Sequence, residues 1–324
     1  MRILKKPLAI YFEILKYSHK NIEYIEENFQ ILKLENPSQL LSLKEKQNVK
    51  IIFAPLGYNF NMILFKKFPN LKILVSNTTS IPHINESDAK LMNIKICALH
   101  DEMEFLDTIT PTAEHTIGLI VAASRRIIGA HQSVLKGTWE RKNWGSPFML
   151  SRAKLGIIGF GRLGRMVAKI ASSIGMEINW YDPNCSSGEY NKSRSLIDIA
   201  ETCDVISLHA KHNDSNTNFI NKQFFDAMKP SGIFVNTARG ELVDNIALLN
   251  ALKNRQIWGA ALDTIKGEFE SNLFLDQSFK DLINYAKCNN NLIITPHIAG
   301  STFDAWYETE AFVIKKAINF LSLI

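Results

Sequence analysis

The stretch KLGIIGFGRLGRMVAK, residues 154 to 169, restricts the possible folds more than any other part of this chain. An apolar run ends in Gly159, Gly161 and Gly164 with GxGxxG spacing, and a helical pattern follows in which Val167, Ile170, Ala171 and Ile174 share one face. Strand, tight turn and helix in that order form the opening unit of a parallel sheet covered by helices. Gly159 permits the turn, Gly161 allows a pyrophosphate close to the backbone, and Gly164 lets the helix pack on the strand. A phosphate then rests on the helix N-terminal N–H groups. Asp182 closes the next apolar run, where a carboxylate accepts hydrogen bonds from an adenosine ribose and repels a 2′-phosphate. The implied cofactor is NAD.

The rest of the chain repeats this alternation. Apolar runs at 48–54, 71–76, 94–99, 154–160, 177–182, 204–210, 232–238, 258–263 and 291–296 are separated by helix-like periods, and MRILKKPLAIYFEIL reads as a first strand. Continuous apolar strands fit sheets buried on both faces. At 324 residues the chain has room for two domains. The reading is therefore α/β, two doubly wound parallel-sheet domains of Rossmann or flavodoxin type with the active site in a cleft between them. Residues 110–137 read as one long helix at the domain boundary, opened by Pro111 and closed near Gly137, and 302–321 as a terminal amphipathic helix that returns to the first domain.

Composition excludes several classes. The net charge of +5 is spread along the chain without a dense basic run, which argues against nucleic acid and a membrane surface as partners. No apolar stretch approaches the roughly 20 residues that cross a bilayer. Cys97, Cys185, Cys203 and Cys288 have neither metal-ligand nor disulfide-framework spacing, so no metal is expected and a reducing, cytoplasmic setting is.

Three further stretches follow strand ends, the edge at which open α/β sheets bind ligands: NTARGELVD, LDTIKGEFES and ITPHIAGST. Hydride chemistry on a hydroxy acid needs an anchor for the carboxylate, a base for the hydroxyl proton and a group that tunes the base. Arg239 offers a planar donor fork. His297 is the base, and a carboxylate beside it holds its tautomer. Asp263 is placed to fix the nicotinamide ring face.

PTAEHTIGLIVAASRR, KLGIIGFGRLGRMVAK, MKPSGIFVNTARGELVD, GAALD and TPHIAGST, in this order, resemble the D-isomer-specific 2-hydroxyacid dehydrogenase family (phosphoglycerate dehydrogenase-like) over nearly the whole chain. The resemblance implies Arg239 for substrate binding and carbonyl polarisation, His297 as acid/base and Glu268 as its partner. It implies cofactor contacts from Gly159, Gly161, Arg162, Leu163, Gly164, Asp182, Thr237, Ala238, Arg239, Asp263, His297 and Gly300, with Thr112 and Asn216 as further positions. It implies residues 1–102 plus 297–324 as the substrate-binding domain, 103–296 as the NAD-binding domain, and a homodimer formed through the latter. The segment 76–85, SNTTSIPHIN, matches the family's carboxylate-binding loop. Asn77, Thr78, Thr79 and Ser80 are the implied substrate contacts, with Ser80 where Gly is usual.

Two departures stand out. DTIKGEF keeps Asp263 and Glu268 but has Phe269 where the family has Pro, and Lys211 replaces a common Pro. A formate-type dehydrogenase on the same scaffold would carry an amide as the histidine's partner, and Glu268 is an acid. An NAD-sensing corepressor-like protein is a further alternative, and no interaction tail speaks for it. The implied small molecule is a 2-hydroxy or 2-oxo acid. The segment APLGYNFN, 54–61, has no Arg or Lys for a phosphate group.

Overall fold

The computed structural model describes residues 6–270 and 272–323, so the beginning of the first-strand expectation, Met1 to Lys5, lies outside the described residues. The chain divides into two units, residues 1–109 with 302–324, and residues 110–301. Both junctions fall a few residues later than the sequence suggests. His297 thereby belongs by its contacts to the second unit, because its backbone is bonded to Asp263 and Thr295.

The first unit contains β1 (Leu8–Phe12), α1 (His19–Asn28), β2 (Gln30–Leu34), β3 (Val49–Phe53), α2 (Met62–Phe65), β4 (Ile73–Val75), α3 (Glu86–Leu91), β5 (Lys95–Cys97) and α4 (Met103–Leu106). The sheet is parallel with order β2-β1-β3-β4-β5, the flavodoxin-like arrangement. β1 and, apart from Lys50, β3 are apolar and nearly all buried. β2 was not expected from the sequence. As an edge strand, QILKL is half exposed and lacks a long apolar run.

The second unit runs α5 (Pro111–Arg125), α6 (Ile127–Leu135), β6 (Lys154–Ile158), α7 (Arg162–Ser173), β7 (Glu177–Tyr181), β8 (Asn191–Lys192), α8 (Leu196–Thr202), β9 (Val205–Leu208), α9 (Lys222–Ala227), β10 (Ile233–Asn236), α10 (Asn245–Lys253), β11 (Gly259–Leu262), α11 (Gln277–Cys288) and β12 (Leu292–Ile294). Its parallel sheet has order β12-β11-β10-β9-β6-β7-β8. The order reverses between β6 and β9, which pair from Leu155↔Val205 to Ile158↔Leu208. In an open α/β sheet a ligand binds beyond the strand ends at such a reversal, and the glycine turn stands there. Two buried clusters fill the unit. One is built on Phe224, Phe225, Phe234 and Leu248, the other on Leu155, Val167, Trp180 and Val235.

The single helix expected over 110–137 is two helices. Arg126 breaks it in the left-handed region at φ 49°. Its guanidinium donates to the carbonyls of Asn143 and Gly145 and lies over the Trp258 ring at 4.8 Å, so tertiary contacts fix the break. The terminal helix, α12 (Phe303–Leu321), starts at the Thr302 cap and belongs to the first unit. Val313, Ile314 and Ala317 join Tyr11, Ile25, Phe53 and Val75 in one core. Buried Glu310 accepts hydrogen bonds from Ser18 N and Asn21 Nδ2.

Candidate active site

Beyond β6 the chain turns at Gly159, whose φ is +91° and whose N–H donates to Tyr181 O at 2.9 Å. A Cβ here would lie 2.6 Å from Ala210 N on the neighbouring strand end, and one at Gly164 would lie 2.2 Å from Gly159 O. Both glycines are required by the protein's own backbone. Gly161 differs: a Cβ there would meet nothing within 4 Å. The space beside this first residue of the α7 N-terminus fits an approaching pyrophosphate. Arg162 and Leu163 open α7 behind it, and the Arg162 Nη1 reaches Met166 Sδ at 3.7 Å.

Asp182 stands at the end of β7. Its Oδ2 accepts from Phe160 N at 2.9 Å and its Oδ1 from Asn184 N at 2.8 Å. The carboxylate is thus aimed by backbone donors and retains acceptor sites for a ribose. Sequence reasoning missed two cations nearby. Arg165 lies over the Phe160 ring at 4.7 Å and donates to Cys185 Sγ, and Lys192 lies over Trp180 and donates to Cys185 O. Their positions follow from tertiary packing, which no local motif announces.

The turn after β10 is clamped by Asn236, a fully buried residue also missed from the sequence. Its Oδ1 accepts from Ala238 N and its Nδ2 donates to Arg239 O. Thr237 is buried, and its hydroxyl pairs with that of Thr116 at 2.8 Å, while Thr116 also donates to Thr112 O. Arg239 donates through Nη1 to Ala238 O at 2.6 Å. Gly240 abuts the next loop so closely that a Cβ would stand 2.0 Å from Ile265 C. The Arg239 turn and the Asp263–Glu268 segment are therefore neighbours.

Asp263, 1% exposed, holds the histidine turn from both ends. Its backbone O accepts from His297 N, while its carboxylate accepts from Thr295 Oγ1 at 2.5 Å, Ile298 N at 2.9 Å and Ala299 N at 2.8 Å. The His115 imidazole approaches the same carboxylate at 3.6 Å. His297 itself has φ 52°, a conformation costly for a non-glycine residue unless its surroundings enforce it. Its Nδ1 lies 2.8 Å from Glu268 Oε1, and the Glu268 side chain is 11% exposed. Among the described residues the imidazole Nε2 has no hydrogen-bond partner. A Cβ at Gly300 would lie 3.6 Å from Thr112 Oγ1, which places Thr112 beside the turn. Asn216 lies in the short turn after β9. Its amide accepts from Asn213 N and donates to Lys211 O, closing its own loop.

The loop 77–80 follows β4 in the first unit. Ser76 Oγ joins Thr78 Oγ1 at 2.9 Å and His83 Nε2 at 3.2 Å, and Thr78 donates to Ser80 O. Burial lowers the His83 pKa to about 4, so the ring is a neutral strut. Ser80 is not among the residues of positive φ, so the replacement of Gly brings no strain. No N–H of residues 77–80 is used by the described protein, as an anion-binding loop requires. Tyr58 packs against the core of this unit.

A glycine turn at the strand-order reversal, an acid at the end of the next strand, and an arginine and a histidine–carboxylate pair at successive strand ends define a nicotinamide-dependent dehydrogenase. Residues 117–299 match the model of the D-isomer specific 2-hydroxyacid dehydrogenase, NAD binding domain, and the chain belongs to that family. A glyoxylate reductase of Pyrococcus furiosus is 28% identical over 92% of this chain and 88% of its own length. A glycerate dehydrogenase of Methylorubrum extorquens is 31% identical over 78% of this chain and 80% of its own. The crystal structure of D-lactate dehydrogenase from Aquifex aeolicus complexed with NAD and lactic acid shares the fold with a TM-score of 0.80 at 24% identity, covering 97% of this chain and 95% of that one. The protein is an NAD-dependent oxidoreductase that interconverts a D-2-hydroxy acid and its 2-oxo acid. Among the described residues no helix is long and apolar enough to cross a membrane, and no acidic, histidine or cysteine cluster could hold a metal.

Proposed function

We propose that this enzyme acts on an unphosphorylated D-2-hydroxy or 2-oxo acid with Arg239 as anchor, His297 as acid–base residue and Glu268 as the partner that orients it. The carrying observation is the 2.8 Å contact between His297 Nδ1 and Glu268 Oε1. A carboxylate at Nδ1 fixes the proton on that nitrogen and presents Nε2 to the substrate. When bound, the nicotinamide supplies the hydride donor or acceptor. Arg239 binds the substrate carboxylate and polarises its carbonyl oxygen. In oxidation Nε2 takes the hydroxyl proton, and in reduction the imidazolium returns it to the forming alkoxide. Glu268 favours that imidazolium by its negative charge. The backbone N–H groups of Asn77 to Ser80 in the first unit suit a carboxylate.

Gly159, Gly161, Arg162, Leu163 and Gly164 cradle the pyrophosphate, and Asp182 binds the adenosine ribose. Thr112, Thr237, Ala238, Asp263 and Gly300 surround the nicotinamide end. Asn216 is the weakest member of the set, since its amide is committed within its loop. Residues 54–61 carry no cation for a phosphate, which supports an unphosphorylated substrate. The active form is a cytoplasmic homodimer built on the second unit. Exposed Ile127, Val134 and Trp139 beside a groove of about 670 Å³ support such an interface, and free cysteines support a reducing compartment. A monomer mass in light scattering would remove the dimer from this reading.

The deciding experiment pairs NADH binding with NADH oxidation over a panel of 2-oxo acids. His297→Ala should lower turnover at least about a hundredfold while NADH affinity stays within several-fold. Near-normal turnover would sink the assignment.

A further inference from the structure

We infer that Phe269 is a specificity-determining residue that selects 2-oxo acids with a branched or aromatic apolar side chain over glyoxylate. The inference rests on the reading of His297 as the acid–base residue. Phe269 follows Glu268 directly, in a loop that turns at Gly267 with φ +75° and is tied by the Glu268 N–H to Ile265 O. Glu268 is itself held by His297 Nδ1, so the position of the next residue is set by the same pair. The Phe269 ring lies 5.8 Å from the imidazole centroid, tilted by 47°, and is 53% exposed.

A solitary exposed apolar residue on a surface carries no message. Phe269 is different because the one ring it meets among the described residues is that of the proton-transfer residue. Phe274, on the same loop, packs on the buried Phe279 at 5.5 Å and so has a structural partner. Phe269 instead keeps half its surface open beside the imidazole whose Nε2 must approach the reacting oxygen. A substrate placed for proton transfer at Nε2 has its C2 about one hydrogen bond away, and its side chain leaves C2 within reach of a neighbouring ring. Contact would remove apolar surface of both partners from water, a gain that glyoxylate, with hydrogen at that position, cannot provide. Proline, which the family resemblance places here, is smaller and offers no ring face.

The test compares kcat/KM for 4-methyl-2-oxopentanoate, phenylpyruvate and glyoxylate in the intact enzyme, Phe269→Ala and Phe269→Leu, with a pH profile for each. The branched and aromatic acids should be preferred by the unaltered enzyme. Phe269→Ala should reduce that preference by about tenfold or more, the scale of a lost apolar contact, and Phe269→Leu should restore most of it. The pH profiles should coincide. A glyoxylate preference in the unaltered enzyme would overturn the inference, as would a preference unchanged by Phe269→Ala. A pH profile displaced from that of the unaltered enzyme would also overturn it, by showing that Phe269 acts only through the histidine–glutamate pair. The reading of His297 fails by a separate result, retained turnover in His297→Ala.

Discussion

His297 and Glu268 make the smallest testable unit of this molecule. The pair is half sheltered, with side-chain exposures of 35% and 11%, so its interaction is less screened than a surface ion pair. Glu268→Gln removes the carboxylate that holds the ring tautomer through Nδ1. It should lower kcat/KM at least about tenfold while NADH affinity stays within several-fold, and an unchanged kcat/KM would separate the two residues functionally. That Glu268 stands beside His297 was legible because both follow a strand end in a short, ordered motif. What steadies the Arg239 turn was not. Asn236 clamps it through burial, and burial of a single polar residue leaves no periodic trace in the sequence.

Among the elements, the loops after β10 and β11 interlock through Gly240. Its substitution by Ala would force a Cβ to 2.0 Å from the backbone of Ile265. The loops must separate, which displaces Arg239 on one side and the Asp263–Glu268 segment on the other. Gly240→Ala should cost about 1–3 kcal/mol of stability in denaturant unfolding and lower kcat/KM more than NADH affinity. Unchanged kinetics would show that the two loops are independent. At this scale the central strands were readable from apolar continuity, as LGII and VISL show. The edges were not: β2 is half exposed and β8 has two exposed residues. The break at Arg126 was equally hidden, since the helical period of 110–137 runs through it unchanged and only the stacking on Trp258 and the Asn143 and Gly145 carbonyls enforces it.

For the whole molecule, each unit contains one histidine kept neutral by burial, His83 in the first and His209 in the second, both with pKa lowered to about 4. In the unfolded chain each would titrate near 6.5. Between about pH 6.5 and pH 4 the unfolded state binds the protons and the folded state does not, so stability falls on acidification through that window. The full effect is roughly 3 kcal/mol per histidine, most of it expressed by pH 5. Urea midpoints should drop between pH 7 and pH 5, and less so in His83→Gln and His209→Gln. Equal pH dependence in the variants would assign the effect elsewhere.

The closing helix of the first unit gives its assembly a direction in time. Glu310 bonds to Ser18 and Asn21 across most of the chain, and Val313, Ile314 and Ala317 complete a core begun by Tyr11 and Ile25. On a ribosome, residues 110–301 emerge with all their own core residues before these helical residues exist. The later-numbered unit can therefore condense first, while the earlier one waits with an apolar face open. Its completion closes the longest loop in the chain. Helix α12, made after the second unit, is thus the element that ends the first unit's exposure to aggregation.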